Sequence, residues 1–265
     1  MSNSQRIFLG AVKRYCARHG IAIEVRSQGW LIIMRRGSQR RFALGYDLGL
    51  NSAIAQRIAD DKGASAEVLE ISGIPCIAHT VFVNPKLGEQ VAPSGSWQAM
   101  LDLLKQHPQG AVVKPNEGTS GRSVLKVSTA SELQRAVEEI FSSYLTLAIS
   151  PYVEIEDEIR VVVLDDVPLV VYSKRRTSSW RHNLDAGSQP VLLDQGEVRQ
   201  AGVALALQAA QAIGIRFAAV DIVRVGGAYK ILEINSGVMM EALGKLHPER
   251  VEAAYSAALD KVFGV

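Results

Sequence analysis

Two apolar runs, Ala219-Val220-Asp221-Ile222-Val223 and Ile231-Leu232-Glu233-Ile234-Asn235, are joined across Gly226-Gly227, and each carries an acid in its middle. Their alternation reads as a β-hairpin with one face buried. Glu233 and Asn235 are two apart and share a face. If the turn is Gly226-Gly227-Ala228, Val225 pairs with Tyr229 and Asp221 falls opposite Glu233. A turn of the two glycines alone would pair Asp221 with Leu232 and split the acids. Only the longer turn puts Asp221, Glu233 and Asn235 on one face, with Val220, Ile222, Leu232 and Ile234 on the other. Like charges directly opposite destabilise a hairpin, so a bound cation would explain the placement. Two carboxylates and an amide oxygen suit Mg²⁺; the alternative is a pair of solvated acids on an exposed sheet face.

The rest of the chain interleaves helices and strands. Helices are expected over 5–19, 52–61 (with Asn51 as N-cap), 64–72, 96–107, 130–142, 198–213 and 249–263. Strands are expected over 21–26, 30–35, 41–44, 76–83, 111–114, 123–127, 145–149, 159–164 and 169–173, besides the hairpin. Hairpins occur alongside helical crossovers, so the class is α+β. No internal repeat or low-complexity tract interrupts this order.

Composition narrows the chemistry. The 265 residues hold 29 Lys+Arg against 27 Asp+Glu, so nothing global favours a polyanion, and nucleic acid is not an expected partner. The two cysteines, Cys16 and Cys76, are far apart, which fits a reducing compartment and the cytoplasm. The polar start lacks an apolar signal-peptide core. The apolar stretch 201–223 is broken by Gln208, Gln211, Gly214 and Arg216, so no membrane span is expected.

Two loops carry local chemistry. In Lys114-Pro115-Asn116-Glu117-Gly118-Thr119-Ser120-Gly121-Arg122-Ser123 a lysine closes a strand, and glycines and hydroxyls lead into the next. Glycines let backbone N–H groups converge on an anion, although an ordinary hairpin turn fits the same residues. The lysine precedes the glycines, so this is not a Walker A loop. A polar, basic loop is expected over Lys174 to Gly187, and the cation-rich segment Tyr172 to Asn183 reads as a solvated loop, a carboxylate or phosphate clamp, or a nucleic-acid patch.

Taken together and in order, these residues resemble the ATP-grasp superfamily of carboxylate–amine ligases. The likeness extends to ribosomal-protein glutamate ligases, glutathione synthetases, cyanophycin synthetase and D-alanine–D-alanine ligases. Asp61-Lys62 resembles the Asp-Lys before the first subdomain. Lys114-Pro115 and the loop after it resemble the second ATP lysine and the phosphate-covering loop. Pro151-Tyr152-Val153 with Glu158-Ile159-Arg160 resembles the adenine hinge and the ribose-binding acid, and Arg181-His182-Asn183-Leu184 is similar to the family's Arg-x-Asn-Leu. The likeness runs from about Asn51 to the C-terminus.

What the resemblance implies is an ATP-grasp fold with a short N-terminal region at 1–50, a first subdomain at 51–150 and a metal-bearing subdomain at 151–265. Lys62, Lys114, Glu117, Gly118, Thr119, Ser120, Gly121, Pro151, Tyr152, Val153 and Glu158 would bind ATP. Asp221, Glu233 and Asn235 would hold two Mg²⁺, with Mn²⁺ as a substitute. Arg160, Arg181 and Asn183 would be catalytic. The implied reaction joins a small-molecule or peptide carboxylate to an amine through an acyl phosphate, releasing ADP and phosphate. A kinase acting on a hydroxyl and a nucleotide-binding scaffold are the alternatives. The hinge position that often carries Glu or Gln is Ser150, so the backbone alone would read the adenine amine. The N-terminal region would cap the fold, recruit a peptide or carrier, or pair in a homodimer.

Overall fold

The computed structural model describes residues 6–88, 95–118, 121–175 and 189–265. Its elements run α1 (Ile7–Arg18), β1 (Ala22–Arg26), β2 (Leu31–Arg36), β3 (Gln39–Leu44), α2 (Ala53–Asp60), α3 (Lys62–Ile71), β4 (Thr80–Val83), α4 (Ser96–Gln106), β5 (Ala111–Pro115) and β6 (Leu125–Val127). They continue with α5 (Ala130–Phe141), β7 (Thr146–Pro151), β8 (Asp157–Leu164), β9 (Val167–Arg175), β10 (Gln189–Leu192), α6 (Glu197–Ile213), β11 (Phe217–Val225), β12 (Ala228–Asn235), α7 (Glu241–Leu246) and α8 (Pro248–Phe263). Among the described residues the strands form three antiparallel sheets: β1-β2-β3, β4-β7-β5-β6 and the central β10-β9-β8-β11-β12. The α+β expectation holds.

Strand alternation dresses the central sheet on both sides. Ile159, Val161, Val163, Val220, Ile222 and Ile234 pack on the inner side of α6, with Ala55 and Ala59 of α2 and Leu69 of α3. On the opposite face Val162, Leu164, Val170 and Phe217 meet α1, α8 and the inner face of β1-β2-β3. Each such side chain, fully buried, stabilises the fold by roughly 1.5–3 kcal/mol before entropy is counted. The β4-β7-β5-β6 sheet has its own core, in which Val113, Leu147 and Ile149 face Met100 of α4 and Leu133, Ala136 and Ile140 of α5. A capping box between Thr129 and Glu132 starts α5.

The acidic hairpin differs from expectation in an instructive way. Its turn is the two glycines, with φ of 57° at Gly226 and 79° at Gly227, and Val225 pairs with Ala228. Positive φ at both positions suits a tight turn that only glycine enters without strain. The pairing then steps from Ile222↔Ile231 to Asp221↔Glu233, because Leu232 is bulged out of register. Ile231, rather than Leu232, joins Ile234 in the core under α6. The acids therefore share a face, but through a bulge and not through a longer turn.

Other boundaries shift for local reasons. Ser52, not Asn51, caps α2, its side chain accepting from Ala55 N at 3.2 Å. Asn51 instead reaches β11, accepting from the backbone N–H groups of Arg216 at 3.0 Å and Phe217 at 2.8 Å, and donating to Phe217 O at 2.8 Å. The expected strand from Cys76 is shorter and starts at Thr80; Cys76 itself makes one parallel bridge to Ile231. The elements β10 and α7 were not expected from the sequence.

Candidate active site

The polar site lies where the cleft-facing side of the central sheet meets the outer face of β4-β7-β5-β6. On the central sheet Arg160 of β8, Tyr172 and Lys174 of β9, and Asp221 of β11 lie on one face by register: Asp221 is opposite Arg160, which is opposite Tyr172. Arg160 donates to Asp221 through Nε at 2.7 Å and Nη2 at 2.5 Å, a bidentate pair. Lys174 Nζ lies 2.9 Å from the same carboxylate and also pairs with Glu158. Asp221 is 1% exposed. Burial pushes its carboxyl up, but the Arg160 and Lys174 charges override that and hold it well below the usual carboxylate range. Burial and Arg160 depress Lys174, and Asp221 and Glu158 more than restore it, leaving it above its ordinary value.

Three oxygen-bearing groups converge beside this network. Asn235 Nδ2 lies 3.4 Å from Asp221 Oδ2 and 3.5 Å from Glu233 Oε1. These oxygens are the donor type that magnesium takes. Both Asp221 oxygens already serve Arg160 and Lys174, so among the described residues Glu233 and Asn235 are the members of the set without an ion pair. Among the described residues no group of three or more His, Cys, Asp or Glu side chains is arranged as a metal cluster.

Facing them, Ala111, Val113, Leu147 and Ile149 point into the core under α4 and α5, so alternation aims Val112, Lys114, Ala148 and Ser150 at the cleft. Lys114 is buried, and its ammonium has no hydrogen-bond partner among the described residues. Burial lowers it to about 8, against the opposing pull of Glu233, the strongest charge acting on it. Lys62, also buried, donates to Asn116 O at 3.1 Å and Gly118 O at 3.0 Å, and Gly63 N donates to Asn116 Oδ1 at 3.1 Å. The first turn of α3 is thereby tied to the glycine-rich loop. Asp61 caps that helix, accepting from Ala64 N at 2.9 Å.

Lys62, Ser65, His79 and Glu233 also line a small cavity of about 10 Å³. His79 Nε2 and Ser65 Oγ have no protein partner among the described residues. Burial, with the charges of Lys114 and Lys62, drives His79 well below its ordinary value, so the imidazole is neutral. At the other end of the cleft Pro151 closes β7, and Tyr152 N donates to Gly110 O at 2.9 Å. Lys126 Nζ sits 3.2 Å from the centroid of the Tyr152 ring.

The structure thus brings together Arg160, Asp221, Glu233 and Asn235, and separately Lys62 with Gly118. Val153 follows Tyr152 beyond the end of β7, Glu117 is exposed, and Gly121 turns with φ of 66°. Glu158 is buried and held by Lys174 rather than open to the cleft. Arg181, Asn183, Thr119 and Ser120 lie outside the described residues. Sequence reasoning missed Asn116 and His79, and placed Lys174 in the basic loop where the structure has it on β9. Lys174 was legible: alternation from Val170 and Tyr172 continues through it, so it belongs to β9 and not to the basic loop.

A family model described as a RimK-like ATP-grasp domain matches residues 59–253. A probable alpha-L-glutamate ligase from Xanthomonas oryzae pv. oryzae (strain MAFF 311018) is 30% identical over 190 residues, covering 70% of this chain and 59% of that protein. The tetrahydromethanopterin:alpha-L-glutamate ligase of Methanocaldococcus jannaschii is 27% identical over 195 residues, covering 71% and 62%. The chain therefore spans about three-fifths of the length of these curated relatives. Among solved structures, D-alanine–D-alanine ligase from Bacillus anthracis complexed with ATP superposes with a TM-score of 0.61 at 21% identity, covering 81% of this chain and 68% of that one. The bifunctional glutathione synthetase from Pasteurella multocida gives 0.56 at 14% identity, covering 93% and 45%. These two likenesses establish the fold.

Proposed function

The chain belongs to the RimK-like ATP-grasp family, and from that premise we propose that it is an ATP-dependent carboxylate–amine ligase. The observation that carries the reading is Lys114: a buried lysine whose ammonium has no hydrogen-bond partner among the described residues and on which Glu233 is the strongest charge. A buried cation is retained at a cost, and a phosphate would supply the missing counter-charge. The relatives' names make L-glutamate the first substrate to test.

A free carboxylate is a poor electrophile. Transfer of the γ-phosphoryl group of ATP gives an acyl phosphate, and an amine displaces phosphate from it. Such transfer rests mainly on positioning and charge neutralisation. In this reading Lys62 and Lys114 hold the phosphates, and the flat strip of Val112 and Ala148 takes the base, with the hinge Pro151 to Val153 reading its edge. The loop 117–121 covers the phosphates and excludes water, which would otherwise hydrolyse the acyl phosphate. Glu233 and Asn235 would hold magnesium, with Asp221 joining them if it leaves Lys174; the ion, when bound, neutralises phosphate charge. Arg160 is held by Asp221 with its guanidinium plane fixed, ready to steady the transferring group together with Arg181 and Asn183. Glu158 can reach ribose hydroxyls only by leaving Lys174. The two free cysteines support a cytoplasmic setting.

The test is a hydroxylamine trap with ATP, Mg²⁺ and a panel of amino acids and peptides led by L-glutamate. A hydroxamate with matching ADP supports the ligase. Phosphorylated product without hydroxamate points to a kinase, and no ADP with any member of the panel points to a scaffold. Glu233→Gln should lower turnover at least about 100-fold and weaken Mn²⁺ binding followed by electron paramagnetic resonance.

A further inference from the structure

The β1-β2-β3 sheet precedes residues 59–253, the span that matches the family model. Its inner face is settled: Ile32, Met34 and Ala43 are buried against α1 and α8. The register makes the outer face three cross-strand rows, Arg26–Leu31–Leu44, Glu24–Ile33–Phe42 and Ala22–Arg35–Arg40. On β2 and β3 one end of this face is apolar, with Leu44 64% and Phe42 52% exposed, while Arg26 of β1 stands in the row of Leu44. The other end is cationic.

The charges there are not balanced within the chain. Arg36 and Arg41 are spent elsewhere, donating to Phe263 O at 2.6 Å and Val262 O at 3.0 Å at the C-terminal end of α8. Arg26 and Arg35 share the single carboxylate of Glu24. Arg40 has no acidic partner among the described residues, and it lies directly opposite Arg35. Like charges in that position destabilise a sheet. Beside them β3 is an edge strand, bonded to β2 alone among the described strands; Leu44 closes back on Asp47 through two backbone hydrogen bonds of 3.0 Å, so the open edge runs over Arg40 to Phe42 and Leu44 offers its side chain only. An exposed, apolar, cationic edge is a template for another strand.

We propose that this face docks an extended segment of a partner protein that carries apolar side chains at one end and carboxylates at the other, laid along β3. The apolar end would cover Phe42 and Leu44, and the carboxylates would meet Arg35 and Arg40. A second copy of this chain fits less well. Antiparallel pairing of two β3 edges about Phe42 sets each Arg40 against the other copy's Leu44 and leaves the cations unmet. The inference stands apart from the ligase reading, because binding is read without ATP.

The test uses the full chain and a fluorescent peptide of about ten residues, alternating Val and Thr and ending in four Glu, followed by anisotropy; the reversed order is run beside it. Micromolar binding by either order is expected. Raising NaCl to about 0.5 M, or introducing Arg35→Glu with Arg40→Glu, or Phe42→Ser, should each weaken it about tenfold or more. Unchanged circular dichroism of the variants would show that the fold persists. Binding by neither order, equal binding of a Lys-for-Glu peptide, or indifference to the variants would overturn the proposal. So would a dimer in sedimentation that Phe42→Ser dissociates, or competition by phosphatidylserine vesicles without peptide binding.

Discussion

Arg160 and Asp221 face each other across β8 and β11 and are joined by two hydrogen bonds, at 2.7 and 2.5 Å, while the same carboxylate takes Lys174 at 2.9 Å. Asp221 is thus the counter-charge on which two buried cations depend. Asp221→Asn leaves Lys174 with Glu158, and Arg160 with Glu233, as the remaining acidic compensation. Removing one member of a buried pair costs about 3–5 kcal/mol, so the variant should unfold at markedly lower denaturant. The pH dependence follows from the depressed carboxyl. Its stabilisation is complete above the unfolded value of about 3.9 and is lost as pH falls below it. The parent should therefore lose stability more steeply than Asp221→Asn below about pH 4. Parallel acid limbs in the two unfolding curves would contradict this.

Gly63 sets how closely α3 approaches β4. A Cβ there would lie 2.1 Å from Val81 Cγ2, too close without movement of a branched, rotamer-restricted side chain. Gly63→Ala should cost about 1–3 kcal/mol and displace Lys62 from its carbonyl partners. Val81→Ala opens the space, so the double variant should be more stable than the sum of the two single changes predicts. Strict additivity in thermal unfolding would rule out this contact as the cause.

The class was legible because helical and strand periods alternate along the whole chain, and the matched fold bears it out. The acidic hairpin was only partly legible. A slip of one residue exchanges the two faces of a strand, and the sequence offers no mark of the bulge because Ile231 and Leu232 are both apolar. The right pairing was reached through the wrong turn. Lys174 reads as part of a basic loop because Arg175 and Arg176 follow it, although alternation from Val170 and Tyr172 assigns it to the strand. Its role depends on Glu158 and Asp221, which come near only when β8, β9 and β11 pair. Lys62 is a similar case, since its partners are backbone carbonyls of a loop that no side-chain pattern announces.

Asn51 illustrates a local signal put to a distant use. Its side chain accepts two backbone N–H groups and donates to one carbonyl at the start of β11, whereas Ser52 caps the helix. Asn51→Ala strands those groups and should cost about 1–3 kcal/mol, more than the roughly 1 kcal/mol of Ser52→Ala. Asn51→Asp keeps the acceptor and loses the donor, and should fall between them. Chemical denaturation of the three variants orders them; an equal loss for Asn51→Ala and Ser52→Ala would leave Asn51 with no more than a capping effect.

Lys114 couples stability and nucleotide affinity with opposite signs. Burial lowers its ammonium to about 8, so the charged form is disfavoured in the folded protein. The destabilisation is fully present below about pH 8 and is lifted as pH rises toward the unfolded value of about 10.4. Over the same interval the ammonium that would meet phosphate is lost. Raising the pH from 7 to 9.5 should therefore add stability to the nucleotide-free protein while weakening its binding of ATP. Lys114→Met removes the buried charge and keeps most of the volume. It should raise the nucleotide-free Tm by a few degrees, consistent with the roughly 1–4 kcal/mol seen when buried charges give way to apolar groups. It should also reduce ATP affinity about 100-fold and abolish the pH dependence near 8. Thermal unfolding with and without ATP across that range measures both effects on the same samples. A nucleotide-free Tm that falls, or an ATP affinity that follows pH alike in parent and variant, would remove Lys114 from the phosphate site.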